Sequence, residues 1–87
     1  MKTEIKKGLA YRRVAGEMFI VDAARAELHE LNDSAALIWE GLASGKNTAS
    51  VAASLAAEYG IDAHTARADV EGFMAELLKT GLLSGPR

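Results

Sequence analysis

Cysteine is absent from the 87-residue sequence, which also has only two histidines and one proline. The lack of cysteine excludes disulfides, thiolate metal ligands and a cysteine nucleophile, and two histidines are too few for an all-protein zinc site. No apolar run approaches the roughly 18 residues that a membrane-spanning helix needs, and the first residues do not resemble a signal peptide. We therefore expect a cytoplasmic protein with no membrane partner, no metal site and no cofactor.

The composition predicts one small domain over residues 1–87, because 49% of the residues are hydrophobic and 25% are charged. Charge is distributed unevenly along it. Residues 1–13 have a net charge of +4, whereas the rest of the chain has a net charge of −6. We predict that residues 1–8 form a flexible basic arm, with docking to an acidic partner as an alternative role, and that residues 84–87 are a frayed tail.

The first third of the chain has the pattern of three strands. Residues 11–15 and 18–21 flank a turn signal and predict a hairpin. Residues 26–31 alternate as a third strand, with Leu28 on one face and His29 and Leu31 on the other. The segment between them, residues 22–25, lacks the glycine expected before that strand.

Three amphipathic helices follow. The first has cap candidates at residues 32–34 and apolar residues at 35, 38, 39 and 42. The second begins at Thr48 or Ser50 and ends at Gly60, and the third begins after Asp62 and ends at Gly81 in a Schellman motif. The fold class predicted is α+β, winged-helix-turn-helix-like, with a three-stranded antiparallel sheet followed by three helices.

No group of side chains predicts catalysis. Asp33, Ser34 and His29 are explained by a helix cap and a half-exposed strand, and Asp62, His64 and Asp69 span two helical turns, too far for one metal shell. A phosphate-binding glycine loop is also absent. We predict a protein that is not an enzyme, and we retain a small enzyme only as a minor alternative.

A winged-helix DNA-binding regulator is the main alternative function. The third helix has Arg67 at its start but also several carboxylates, and the acidic body argues against nucleic acid as a partner. Binding of a peptide strand at the open edge of residues 26–31, beside a helix, fits a small domain without an active site. An edge covered by a helix or by a second copy of the chain stays open as an alternative.

A set of short motifs resembles the coenzyme PQQ synthesis protein D (PqqD) family over residues 27–83. In chain order they are H-x-L-N (29–32), I-W (38–39), Y-G-I-D (59–62), D-V-x-x-F (69–73) and G-L-L (81–83). The resemblance implies a RiPP recognition element, a chaperone for ribosomally made and later modified peptides. Such a domain binds the leader of a precursor peptide and presents it to a modifying enzyme, a radical SAM protein in PQQ-type pathways.

The resemblance also implies a site, in which the leader adds to the third strand in a groove against the third helix. On this chain the strand residues are Ala26, Glu27, Leu28, His29, Glu30 and Leu31. The helix residues expected to face the strand, assigned from helical phase, are Arg67, Val70, Glu71, Met74 and Leu78. A homodimer formed through sheet edges is a further expectation.

Overall fold

A computed structural model describes residues 4–84. Its strands are β1 (Glu4–Ile5), β2 (Leu9–Val14), β3 (Glu17–Asp22), β4 (Glu27–Leu31) and β5 (Leu83–Ser84), and its helices are α1 (Asp33–Ala43), α2 (Thr48–Tyr59) and α3 (Ala63–Thr80). One antiparallel sheet has the order β2-β3-β4, and β1 pairs with β5 in a second, two-stranded sheet. The predicted α+β class, with a three-stranded sheet and three helices, is confirmed, whereas the winged-helix likeness is not.

The β2–β3 hairpin closes through a two-residue turn, Ala15 and Gly16. Both residues have a left-handed backbone, with φ of 52° and 86°. Two consecutive positive φ angles are the requirement of the type I′ turn, whose twist matches that of the strands it joins. The hairpin of the sequence prediction is therefore confirmed, with its register starting at Val14 opposite Glu17.

An alanine takes the left-handed backbone conformation before β4 for which a glycine was expected. A short 3₁₀ turn, Ala23–Arg25, follows β3, and Ala26 ends it with φ of 55°. Ala26 is thus a turn residue, and β4 begins one residue later than predicted, at Glu27. The side chains of β4 alternate as expected, with Leu28 on one face and His29 and Leu31 on the other.

Each helix is preceded by an N-cap residue whose side chain accepts a hydrogen bond from a backbone N–H of the first turn. Asn32 accepts from the Ala35 N–H at 2.9 Å and Asp62 from the Thr65 N–H at 2.7 Å, as the sequence predicts. The prediction for α2 is wrong, because the cap is neither Thr48 nor Ser50. It is Asn47, whose side chain accepts from the Ser50 N–H at 2.8 Å.

The end of α3 confirms the predicted Schellman motif. Gly81 takes a φ of 83°, and the Leu82 N–H donates to the Leu77 carbonyl at 3.0 Å. Leu82 is buried there, and the chain continues into β5. This ending turns the chain back toward the first residues of the fold, where β5 meets β1.

The basic arm is corrected by the structure over residues 4–8. Ile5 pairs with Leu83 in the second sheet, and Lys6 Nζ lies 2.6 Å from the buried carboxylate of Asp22. This pairing holds the pKa of Asp22 below its usual value. Ser84 is likewise a strand residue rather than the start of a frayed tail, and residues 1–3 and 85–87 lie outside the described residues.

Two apolar clusters fill the interior. The sheet cluster packs Met18 and Ile20 against Trp39, which is fully buried. The rings of Trp39 and Tyr11 pack edge to face, with 5.4 Å between their centroids. The helix cluster packs α1, α2 and α3 together through residues including Ile38, Val51, Leu55, Ala66 and Val70. Phe73 and Met74 of α3 pack against both clusters, so α3 joins the sheet to the helices.

No helix within residues 4–84 has the length and hydropathy needed to cross a bilayer.

Candidate functional site

The outer edge of β4 carries unpaired backbone groups. β4 pairs with β3 from Glu27 opposite Asp22 to Leu31 opposite Met18. Among the described residues, no backbone hydrogen bond joins 27–31 to any segment other than β3. Since alternate residues of a strand direct their N–H and C=O groups to opposite sides, half of those groups in β4 face an open edge.

The two faces of β4 differ in character. Glu27, His29 and Leu31 are half-buried and point toward the helices, and His29 Nε2 lies 3.2 Å from Glu27 Oε1. Leu28 lies on the other face and is 67% exposed, the highest value among the exposed large hydrophobic residues. A peptide strand added at this edge would therefore meet a polar and apolar surface on the helix side and Leu28 on the outer side.

Two junctions join the ends of β4 to helix α3. Before the start of β4, Arg25 Nη1 donates to the Thr80 carbonyl at the end of α3, at 3.0 Å. After the end of β4, Asn32 lines one cavity together with Asp69 and Phe73 from the middle of α3. The order of these junctions indicates that α3 runs opposite to β4, and we name the space between them the groove.

Asp69 and Phe73, which line that cavity, share one flank of α3 with Glu76 and Thr80. These residues recur at three- and four-residue intervals and so lie along one side of the helix. Arg67 and Leu78, two of the positions expected from the sequence, lie on the opposite flank of α3. Nine residues correspond to two and a half helical turns, so Leu78 projects opposite Asp69, and Arg67 opposite Glu76.

The contacts of the expected helix residues agree with that projection. Arg67 Nε and Glu71 Oε2 form an exposed ion pair at 3.0 Å, and Val70 is fully buried. Met74 accepts a hydrogen bond from Thr48 of α2. The structure thus brings the expected strand residues 27–31 to an open edge. Of the expected helix residues, Met74 packs on the sheet cluster together with Leu31 and Phe73. Contact of Arg67, Glu71 and Leu78 with a guest peptide stays a prediction.

The cavity at the end of β4, which we name the end cavity, has a volume of about 400 Å³. Its lining comes from the three helices and from the residues that precede α1 and α3, and consists of Asn32, Ser34, Ala35, Ile38, Leu55, Tyr59, Ile61, Asp69 and Phe73. The sequence pattern missed it, because these residues converge only when the three helices pack. The local signals are the cap candidates at residues 32–34 and the motifs Y-G-I-D and D-V-x-x-F, since each of these segments contributes two residues to the cavity.

One wall of the end cavity is fixed by hydrogen bonds. The Tyr59 hydroxyl donates to Asp33, and Arg13 Nη1 lies 2.5 Å from the same carboxylate. The Tyr59 hydroxyl and then Arg13 lower the pKa of Asp33, while Asp33 raises the pKa of Tyr59. Arg13 also pairs with Glu40, with 3.1 Å between Nε and Oε2, so the hairpin, α1 and α2 are tied together at this wall.

The family model described as coenzyme PQQ synthesis protein D (PqqD) matches residues 17–83, most of the chain. The chain belongs to the PqqD family. No curated protein matches the sequence.

Two solved structures resemble this PqqD-family protein over nearly their whole length. One is TbiB1 in complex with the TbiA(beta) leader peptide, with a TM-score of 0.88, 23% identity, and coverage of 97% of this chain and 98% of that one. The other is lasso peptide synthetase B1 complexed with the leader peptide, with a TM-score of 0.86, 26% identity, and coverage of 97% and 99%.

The sequence of this PqqD-family protein raises three other functions: metal binding, catalysis around Asp33, and DNA binding by α3. Within residues 4–84, no three potential ligand side chains come together to hold a metal ion. Ser34 Oγ donates to Asn32 at 3.2 Å and His29 contacts Glu27, so the residues around Asp33 make separate local contacts. On α3, the base-reading candidate Arg67 is paired with Glu71, and nothing in the structure supports the DNA-binding alternative.

Proposed function

We propose that this PqqD-family protein is a non-catalytic RiPP recognition element. It binds the leader segment of a ribosomally made precursor peptide as a fourth strand on β4 and presents the peptide to a modifying enzyme. The observation that carries the proposal is the open edge of β4 beside α3, in a fold that both leader-peptide complexes share. An added strand satisfies the free backbone groups of that edge.

The groove offers both affinity and selectivity. Main-chain hydrogen bonds to residues 27–31 supply affinity that depends little on leader sequence. Alternate side chains of the leader point toward α3, where Leu31 and Phe73 provide apolar contacts and Glu27 and His29 provide polar ones. The remaining side chains lie beside Leu28 on the outer face.

The proposed peptide site therefore keeps the strand predicted from the sequence and changes the helix residues. Ala26 adjoins the strand as a turn residue, and residues 27–31 supply the pairing edge. On α3 we propose Asp69, Phe73, Glu76 and Thr80 in place of Arg67, Val70, Glu71, Met74 and Leu78. The difference arises because helical phase identifies an apolar stripe but not which side of it adjoins β4.

The partner enzyme and the assembly state follow from the same proposal. A radical SAM protein is the partner proposed for a PQQ-type pathway, acting on a peptide made in the cytoplasm.

Within the described residues the β2 edge is open as well as that of β4, and we propose that copies of the chain can pair through these edges at high concentration. Leader binding at β4 would compete with such pairing, and gel filtration at several concentrations, with and without leader, measures it.

Backbone methylation of the leader tests strand addition. The probe is a synthetic, fluorescein-labelled leader of the precursor encoded beside the gene, made in two series with N-methyl groups on alternate residues. Only alternate residues of an added strand direct N–H groups toward β4. One series should therefore lose affinity by about 30-fold or more, and the other should retain most of it.

A scrambled leader of the same composition is the control, and fluorescence anisotropy is the measurement. Equal affinity of both methylated series, or failure of the native leader to bind more tightly than the scrambled peptide, would contradict the proposal.

A further inference from the structure

The end cavity combines an apolar floor with a polar rim. The floor is formed by Ala35, Ile38, Leu55, Ile61 and Phe73, and the rim by Asn32, Ser34, Tyr59 and Asp69. It begins at Asn32, the residue that follows the last residue of β4. A peptide strand paired with β4 that continues past Leu31 therefore passes the mouth of the cavity.

Asp69 is the rim group whose charge is left uncompensated. Asp33, which receives the hydroxyl of the rim residue Tyr59, is also bound by Arg13. The Asp69 carboxylate makes no ion pair or side-chain hydrogen bond within residues 4–84.

The positive charge of the groove lies away from the end cavity. Its basic residue, Arg25, precedes β4 and donates to the Thr80 carbonyl at the opposite end of α3. No ion pair among the described residues therefore supplies a cation to Asp69 at the end cavity.

We propose that the end cavity binds a lysine or arginine side chain of the guest peptide and that Asp69 determines this specificity. The inference rests on the proposed function. The aliphatic stem of the guest side chain covers Ile38 and Phe73, while its cation pairs with the Asp69 carboxylate. In an antiparallel guest strand, this side chain belongs to a residue just before the segment that pairs with β4.

Other side chains fit the end cavity less well. An apolar side chain would cover the floor but would desolvate the Asp69 carboxylate without a partner. A glutamate or aspartate would be repelled by the Asp69 carboxylate. A cation with a long apolar stem is the class that matches both parts of the cavity.

A peptide array tests the inference. The probe is the synthetic leader of the neighbouring precursor, with each residue replaced in turn by arginine, norleucine, tyrosine or glutamate. At one position next to the paired segment, arginine should bind about 5- to 10-fold more tightly than norleucine or tyrosine, and glutamate should bind most weakly. The preference should be lost in Asp69→Asn and kept in the matched control Glu17→Gln, an exposed carboxylate at the hairpin turn.

The possible outcomes separate this inference from the proposed function. A leader that binds with no position preferring arginine, or with a preference that Asp69→Asn leaves unchanged, would overturn the inference and leave leader binding intact. Equal binding of tyrosine and arginine would also overturn it, because the cavity would then read apolar area and not charge. A wild-type protein that binds no leader peptide of the array would overturn both. Amide spectra of Asp69→Asn that match the wild type verify that the variant is folded.

Discussion

Ala26 holds a left-handed backbone immediately before β4, with φ of 55°. An L-amino acid pays about 1 kcal/mol for this conformation, which glycine adopts without a Cβ clash. We predict that Ala26→Gly raises the free energy of unfolding by about 0.5–1 kcal/mol, as measured by urea denaturation.

Ala24→Gly is the matched control for this prediction. Ala24 lies in the same 3₁₀ turn without a positive φ, so its replacement should lower stability by about 0.5 kcal/mol. Equal effects of the two substitutions would show that the conformation at residue 26 carries no strain.

The ion pair between Lys6 and Asp22 makes stability depend on pH. Lys6 holds the pKa of Asp22 below its usual value of 3.8 in the folded protein. The unfolded chain therefore takes up this proton more readily, and the stabilisation that is present at neutral pH is lost as pH falls through about 4 and below. Urea midpoints of the wild type between pH 7 and 3 should fall more steeply than those of Asp22→Asn.

Glu17→Gln serves as the control for a general effect of removing a carboxylate, and its pH profile should follow the wild type. Lys6→Met should be destabilised most at neutral pH, because it leaves the buried Asp22 carboxylate without its cation. A wild-type slope that Asp22→Asn reproduces would contradict the assigned role of the pair.

Among the helices, local signals in the sequence identified most boundaries, with the N-cap Asn47 of α2 as the exception, but they did not identify the orientation of α3. Asn32, Asp62, Gly60 and Gly81 act at helix ends through contacts within a few residues, so they could be identified from the sequence. The groove flank of α3 depends on how the helix is rotated against β4. That rotation follows from packing on both apolar clusters, which no local pattern contains.

The flank of α3 can be tested with spin labels, because the chain has no cysteine and a single introduced cysteine is unique. A label at Glu76→Cys should broaden the amide signals of a bound, isotope-labelled leader strongly. The same label at Leu78→Cys, on the opposite flank, should broaden them weakly. Stronger broadening from position 78 would restore the helix face predicted from the sequence.

Arg25 joins the start of β4 to the end of α3 through the Thr80 carbonyl. We predict that Arg25→Ala widens the groove, speeds amide exchange in the last turn of α3 and weakens leader binding about 3- to 10-fold. Arg12→Ala, which removes an exposed guanidinium from β2, is the control and should change neither quantity. Unchanged leader affinity in Arg25→Ala would show that this contact does not set the groove.

Across the whole molecule, contacts between residues far apart in the sequence determine where the basic N-terminal segment lies, which composition alone could not predict. The basic charge of residues 1–13 leads to the prediction of an arm over residues 1–8, yet Lys6 pairs with Asp22. Arg13, in the predicted hairpin, pairs with Asp33 and Glu40. β1 also pairs with β5, which begins at Leu83 near the other end of the chain. Such pairings leave no periodic signal in the sequence. The sequence therefore identified the three-stranded sheet and the three helices but missed the second sheet of β1 and β5.

Amide exchange of the folded chain with and without the leader peptide measures strand addition at β4. Alternate amides of residues 27–31, those directed away from β3, should become protected on binding, and cross-strand contacts between these residues and the leader should appear in nuclear Overhauser spectra. Protection confined to β2, or binding of the leader with no change in residues 27–31, would show that the leader does not add to β4.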